Sequence, residues 1–377
     1  MPATTPAGQR LSKSERQRRD RYRARLKRVR AEISDAGCDA LLITDPSDIR
    51  YLTPFSGEDS CAIVLPTSLI VVSDRRFEEE LWSLKGIAKV VLRKGPMVGT
   101  LGPLMSDHDV TYAFQADRCT FAMRTAIAKH VGAKSLVPVE GLMTRVRAVK
   151  DDAELRSIKK AIRLQEDALE ATLDQIGPGT TESEVAALLE YEMRALGAEG
   201  AAFDIIAAAG PNGSKAHYRP ARTKLRAGGS LLIDWGAVVD GYRSDMTRTF
   251  SFGRWGRELS KVYDVVLEAF HAGVDAIAPG VTGKEADEAS REVIRRAGYA
   301  KRFGHSLGHG IGLDIHEMPS LSAHSDWVLR EGHVVTVEPG IYLPGVGGVR
   351  LENDILVTSR GVRDLCSLPM DKGWATL

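Results

Sequence analysis

The chain has 377 residues, 43% of them hydrophobic and 27% charged, with a formal net charge of +1. That length allows two domains of ordinary size, and near-neutrality excludes a molecule whose overall field recruits nucleic acid or an acidic partner. No apolar run approaches the ~20 residues that span a bilayer. The N-terminus lacks the apolar core of a secretory signal. Four scattered cysteines, Cys38, Cys61, Cys119 and Cys366, form no CxxC pair and read as reduced, buried or partly buried thiols of a cytoplasmic protein.

Charge is uneven along the chain. Residues 1–30 hold eleven Lys or Arg against two acids, net +9, which leaves −8 for residues 31–377. Residues 1–24 are expected to be a basic, disordered, solvated leader. It runs into a first helix where Leu26, Val29 and Ile33 recur at helical spacing. Glu15 and Asp20 argue against an organelle transit peptide.

A small α/β domain is expected over residues 25–146. "DALLIT", "CAIVLP" and "SLIVVSD" read as short strands and "RRFEEELWSLKG" as a charged helix; "AKVVLR" and "VTYAFQA" continue the alternation. "RAVKDDAELRSIKKAIRLQEDALEATLDQI" reads as a long amphipathic helix with Leu155, Ile158, Ala161 and Ile162 on one face. It opens a second domain over residues 147–377. That domain carries a faint duplication. Residues 176–197 and 277–298 agree at seven of 22 positions at a constant offset of 101, including Pro178/Pro279, Gly179/Gly280, Thr181/Thr282 and Gly197/Gly298. Each copy reads as a Pro-Gly turn, a Thr N-cap and a helix closed by Gly. A domain of two similar halves would carry its site where they meet.

"SLLIDWGAVVDGYRSDMTRTFSF" reads as a β-hairpin. A turn at Val239–Asp240 pairs Asp234 with Asp245; a turn at Asp240–Gly241 sets them one step diagonal. Either register aims both carboxylates at one face, because strand side chains alternate. Asp234 lies in an otherwise apolar strand, where an unpaired carboxylate is costly, so something positive is expected between the two acids. A second hairpin is expected over Val334–Val357, turning around Gly345, with Glu338 and Glu352 equidistant from the turn. Arg350 falls on the same face and is expected to hold one of that pair. Two hairpins with paired acids, together with the glycine-rich "GHSLGHGIGLDIHE" at 304–317, imply a metal site. Hard oxygen donors with one or two imidazoles favour manganese over zinc, with cobalt a substitute in vitro. Four carboxylates overcharge one ion but balance two that share them.

"DWGAVVDGYRSDMTRTF", "GHGIGLDIHEMP", "TVEPGIY" and "VRLEND" resemble the signature blocks of the pita-bread metallopeptidases, the family of aminopeptidase P, prolidase, creatinase and methionine aminopeptidase. "DALLITDPSDIRYLTPFSG" resembles the creatinase-type N-terminal domain, and "RAVKDDAELRSIKKA" the junction helix of the proline-specific members. The resemblance covers roughly residues 25–370. It implies an α/β (α+β) chain with a small creatinase-like domain followed by a pseudo-twofold pita-bread catalytic domain. It implies two divalent ions held by Asp234, Asp245, His309, Glu338 and Glu352. Asp234 would hold one ion, Asp245 and Glu352 would bridge both, and His309 and Glu338 would complete the second. Gly308, Gly310 and Gly312 would let the backbone approach the metals closely. His316 matches the histidine that contacts the substrate carbonyl and the tetrahedral intermediate. His305, and His217 in "KAHYRP", match histidines that line the substrate pocket and position substrate or shuttle protons; Glu338 is the implied general base. His108, His130, His271, His324 and His333 match no motif and are expected to be structural or on the surface.

The implied reaction is metal-dependent hydrolysis of an Xaa-Pro bond. The N-terminal domain argues against methionine aminopeptidase, and the complete ligand set against creatinase. Between an Xaa-Pro aminopeptidase and the alternative, an Xaa-Pro dipeptidase or prolidase, the segment after "HEMP" leans towards the aminopeptidase. A dipeptidase needs a cation for the free proline carboxylate, and Arg330 is the first arginine available there. The resemblance also implies a homodimer whose N-terminal domain helps to shape the pocket. The rival from another class is a non-catalytic pita-bread binding protein whose basic leader contacts RNA or a ribosome; the intact ligand set argues against it.

Overall fold

The computed structural model describes residues 12–377, and the chain divides into two units, one ending at Arg147 and one beginning at Ala148. The first opens with helix α1 (Lys13–Asp35). The Ser12 hydroxyl accepts from the Glu15 amide while the Glu15 carboxylate accepts from the Ser12 amide, a reciprocal cap that starts the helix. A structureless leader to residue 24 therefore does not hold from Lys13 onward; the rest of that leader lies outside the described residues. Tyr22, Arg25, Val29 and Ile33 are buried along α1. Four of its arginines donate to carbonyls: Arg19 to Lys85 O at 2.8 Å, Arg25 to Tyr51 O at 2.8 Å, Arg28 to Val146 O at 2.6 Å and Arg30 to Leu65 O at 2.9 Å.

The first unit is built on strands β1 (Ala40–Ile43), β2 (Cys61–Val64), β3 (Leu69–Ser73), β4 (Lys89–Leu92), β5 (Tyr112–Gln115) and β6 (Leu136–Val139), in the order β4-β3-β2-β1-β5-β6. Helices α2 (Pro46–Leu52), α3 (Glu78–Leu81), α4 (Met97–Ser106) and α5 (Phe121–Val131) lie between them, and α6 (Leu142–Ala148) follows β6. Leu42, Ile63, Val72, Tyr112 and Phe114 form the core with Leu101, Met105 and Ile127. The stretch "RRFEEELWSLKG" is not one helix. The single turn α3 is flanked by 3₁₀ turns at Arg75–Phe77 and Trp82–Leu84. Only Leu81 and Leu84 of it reach the core, and Trp82 is 70% exposed, so little apolar burial holds it helical.

In the second unit, α7 (Asp152–Leu173) starts later than its periodicity suggests, because Asp151 caps it reciprocally with Glu154. Ile158, Ala161, Ile162, Ala168 and Leu169 are its buried apolar side, while Leu155 is only half-buried. Helices α8 (Glu182–Ala195) and α10 (Gly283–Arg296) are the duplicated segments, with α9 (Arg257–Ala276) between them. Thr181 caps α8 reciprocally with Glu184, as Thr282 caps α10 with Glu285. Gly179 and Gly280 before the caps, at φ +105° and +96°, occupy the same left-handed region. Their amides donate to Leu225 O and Leu329 O respectively. The sequence duplication is thus a repeat of local structure.

The first half holds β7 (Gly200–Ala201), β8 (Ile206–Ala209), β9 (Ser230–Trp235), β10 (Ala237–Val239), β11 (Tyr242–Arg243) and β12 (Met246–Ser251), in sheets ordered β12-β9-β8 and β11-β10-β7. The second holds β13 (Gly308–Gly310), β14 (Glu317–Leu321), β15 (Val334–Val337), β16 (Gly340–Leu343), β17 (Gly347–Arg350), β18 (Asn353–Thr358) and β19 (Gly361–Asp364), in sheets ordered β14-β13-β15-β18-β19 and β16-β17. Leu169, Val185, Leu189, Trp235, Phe250, Val262, Tyr263 and Val349 form one core, and Phe270, Ala286, Leu321, Val335, Val337, Ile355 and Val357 form a second on the five-stranded sheet. Among the described residues no helix is long and apolar enough to cross a membrane.

Candidate metal centre

The first hairpin turns at Asp240–Gly241, both at positive φ (51° and 78°), with Val239 paired to Tyr242. An Asp-Gly pair suits this two-residue turn, whose twist matches that of the strands. The same register sets Asp234 opposite Thr247, so Asp234 and Asp245 lie one step diagonal on a common face. The second hairpin is centred on Gly345: Gly340 pairs with Arg350, and Val337 with Asn353. Glu338 and Glu352 fall between these paired stretches, each the same distance from the turn.

A cavity of about 540 Å³ gathers the four acids with His217, His305, His309, His316 and Arg350. Asp245, His309 and Glu352 each offer one ligand atom, all within 4.8 Å of one another. The His309 Nε2 lies 3.6 Å from Asp245 Oδ2 and 3.5 Å from Glu338 Oε1. Its Nδ1 is 3.0 Å from the Gly310 carbonyl. A carbonyl only accepts, so Nδ1 carries the hydrogen and the Nε2 lone pair faces the carboxylates. Burial lowers His309 to about 4, which keeps the ring neutral and able to ligate.

The acids are costly as a purely protein arrangement. Burial first, then Glu352 and Asp234, hold Asp245 well above the usual carboxylate range. Glu352 is raised by burial, then by Glu338 and Asp234, and burial pushes Glu338 up to about 8. Asp234 Oδ1 and Asp245 Oδ1 are buried with no hydrogen-bond partner. Buried charge without a counter-charge is what proteins avoid, so these atoms fit divalent cations.

Arg350 departs from its expected role. Its guanidinium grips Asp234 of the other hairpin at 2.5 Å and donates to Thr247 Oγ1 at 2.9 Å and to Tyr342 OH at 2.8 Å. Thr247 in turn donates to Glu352 Oε2 at 2.6 Å. Arg350 thus reaches Glu352 only through a hydroxyl, because strand β17 faces β9 across the site. The glycines also differ in purpose. Gly308 and Gly310 lie in β13 between two neighbouring strands. An added Cβ would overlap the Thr336 carbonyl at the first and the Met318 carbonyl at the second, and at Gly312 it would overlap the Glu317 carboxylate. The absent side chains admit the neighbouring backbone and Glu317 rather than a metal.

His305 ends a relay. Its Nδ1 is 2.9 Å from Ser306 O, so Nε2 accepts from Tyr342 OH at 2.8 Å, which accepts from Arg350. Burial lowers His305 to about 4 and raises Tyr342 to about 12. The exposed His316 packs edge-on against His309, ring centroids 4.5 Å apart. Partial desolvation against the cavity wall, then His217, lowers its pKa. Next to it, Glu317 binds Lys150 at 2.9 Å, with side chains only 6% and 1% exposed, and accepts from the Asp314 amide. His217 sits on a loop tied to the buried Glu182, which accepts from Ala209 N, Asn212 Nδ2, Tyr218 OH and Ala221 N at 2.7–3.2 Å. His108, His130, His271 and His324 are exposed, His333 is buried with Nδ1 accepting from the Arg330 amide, and neither these nor Arg330 line the cavity.

Sequence reasoning missed Tyr342, Glu317, Lys150 and Arg248. Arg248 is fully buried and gives its hydrogens to the carbonyls of Thr247, Glu352, Leu368 and Pro369 and to Asn353 Oδ1. An arginine alternating with threonines in "DMTRTF" was the available signal.

Comparison with known proteins bears on this centre. The model of Metallopeptidase family M24 matches residues 156–359, and that of the Creatinase/Prolidase N-terminal domain matches residues 25–149. The Xaa-Pro dipeptidase of Bacillus anthracis is similar in structure, with a TM-score of 0.89 and 36% identity over 93% of this chain and 99% of that one. The X-Pro aminopeptidase of Thermotoga maritima MSB8 has a TM-score of 0.83 and 36% identity, covering 89% of this chain and 97% of that one. The Xaa-Pro dipeptidase of Pyrococcus horikoshii is 40% identical over 239 residues, 63% of this chain and 68% of that protein.

Proposed function

This chain belongs to Metallopeptidase family M24, and on that premise we propose that it is an Xaa-Pro dipeptidase that works with two divalent metal ions. The observation that carries the reading is the cluster itself: two buried and two part-buried carboxylates, two of the four with unpartnered oxygens, around one neutral imidazole. The choice of dipeptidase revises the lean towards aminopeptidase. That lean rested on one segment after "HEMP", and nothing requires the carboxylate-binding cation to come from there. Similar proteins from Bacillus anthracis and Pyrococcus horikoshii carry the dipeptidase name. The aminopeptidase reading is kept as second because the Thermotoga maritima protein is similar at the same 36% identity.

Asp234 would hold one cation, Asp245 and Glu352 both, and His309 and Glu338 the second. Bound there, two cations supply Lewis acidity towards water and the scissile carbonyl. Glu338 takes the proton of the attacking water. His316, exposed at the cavity and beside His309, donates to the carbonyl oxygen as it gains negative charge. His217, on the Glu182-anchored loop, positions the substrate and passes the proton to the leaving proline nitrogen, while His305, fixed by Tyr342, lines the pocket beside it. Oxygen donors with one imidazole support manganese, and four free cysteines support a reducing cytoplasm. The homodimer rests on the resemblance and is decided by sedimentation velocity.

Hydrolysis of Ala-Pro compared with Ala-Pro-Ala, in Mn²⁺, tests the proposal. A kcat/KM higher for Ala-Pro supports the dipeptidase. A higher value for Ala-Pro-Ala assigns the aminopeptidase, and no hydrolysis of either overturns both.

A further inference from the structure

A dipeptide substrate brings a carboxylate into a cavity crowded with carboxylates, so the site needs a cation that its own acids have not consumed. Asp204, Asp234, Asp245, Glu338 and Glu352 line the cavity. Arg350 lines it too, but it is buried and committed to Asp234, Thr247 and Tyr342. Arg219 is different. It lines the same cavity, its side chain is exposed, and among the described residues it forms no hydrogen bond or ion pair.

Its backbone is nevertheless well held. Tyr218 before it and Ala221 after it are bonded to the same buried carboxylate, Glu182, at 2.9 and 3.2 Å. Pro220 follows it directly and restricts Arg219 to extended backbone. His217, two residues earlier, lines the same cavity. A mobile guanidinium on a fixed stem can close on a planar anion with two parallel hydrogen bonds, a geometry that lysine cannot offer.

We propose that Arg219 receives the free carboxylate of the Xaa-Pro dipeptide and so sets the preference for a two-residue substrate. The inference rests on the dipeptidase reading. It supplies, from the loop that carries His217, the cation that Arg330, outside the cavity, does not.

The test compares Ala-Pro with Ala-Pro-amide, which lacks the charge, on the manganese-loaded protein and its Arg219→Ala and Arg219→Lys variants. The unaltered protein should prefer Ala-Pro. Arg219→Ala should lose about tenfold or more of kcat/KM on Ala-Pro, mainly through KM, with the value on the amide unchanged. Arg219→Lys should fall between the two, keeping charge without the fork. An equal loss on both substrates overturns the role of Arg219 while leaving the dipeptidase reading intact. If the unaltered protein shows no preference for Ala-Pro over the amide, the dipeptidase reading falls and the inference with it.

Discussion

Thr181 and Thr282 cap matching helices in the two halves of the catalytic unit, yet the residue after each cap differs in kind. In the first half it is Glu182, fully buried, whose carboxylate gathers four donors and ties down the loop of His217. In the second it is Gly283, where an added Cβ would overlap the Ser320 carbonyl and the Ser325 side chain. The same cap geometry anchors a loop through a side chain in one half and admits strand β14 through the lack of one in the other. The halves divide the site accordingly. The first contributes Asp234, Asp245 and His217; the second contributes His309, His316, Glu338 and Glu352. A repeat of backbone does not imply a repeat of chemistry, because the cap needs only the threonine and the glutamate three residues on.

If both halves serve a shared pair of ions, Asp245→Ala from one and Glu352→Ala from the other should be equivalent. Each should lower kcat by about a thousandfold or more and strip bound metal; metal analysis showing two ions retained in either variant would refute their shared role. The matched positions should fail for opposite reasons. Glu182→Ala leaves several buried donors unpaired and should cost about 3 kcal/mol in urea unfolding. It should also raise KM by loosening the His217 loop. Gly283→Ala overpacks and should cost about 1–3 kcal/mol, with KM unchanged. A KM that rises equally in both variants would erase the contrast.

The titration of the cluster sharpens the picture at the next level. Asp245, Glu338 and Glu352 have pKa values raised on folding, Glu338 to about 8. Without added metal, the folded chain keeps protons that the unfolded chain releases above its ordinary carboxyl range. Stability that is full below about pH 4 is therefore lost as pH rises towards 8. Adding Mn²⁺ should then raise the melting temperature more at pH 8 than at pH 5.5, by about 5 °C; an equal rise at both would contradict burial of these acids. The smallest effect is expected at His316. His316→Ala should keep its metal and lose about tenfold in kcat, ~1.4 kcal/mol of barrier, and unchanged turnover would remove it from the reaction.

Much of this centre was legible before the fold. Strand alternation put Asp234 and Asp245 on one face whichever turn formed, and symmetry about Gly345 paired Glu338 with Glu352. Thr181 and Thr282 announced their helices. The leader was misjudged from Lys13 onward because charge count outweighed the Ser12–Glu15 capping box and Tyr22, whose burial depends on the rest of the first unit.

Local periodicity and turn chemistry determine which way a side chain points, so the sequence by itself determined the faces, the caps and the acids that share a hairpin. Only the tertiary structure decided what those side chains meet. Arg350 crosses 116 residues of chain to Asp234, and Lys150 crosses 167 to Glu317. No period of two or 3.6 encodes such partners, because they are chosen by which strands and loops pack together and by the cost of leaving a buried charge alone.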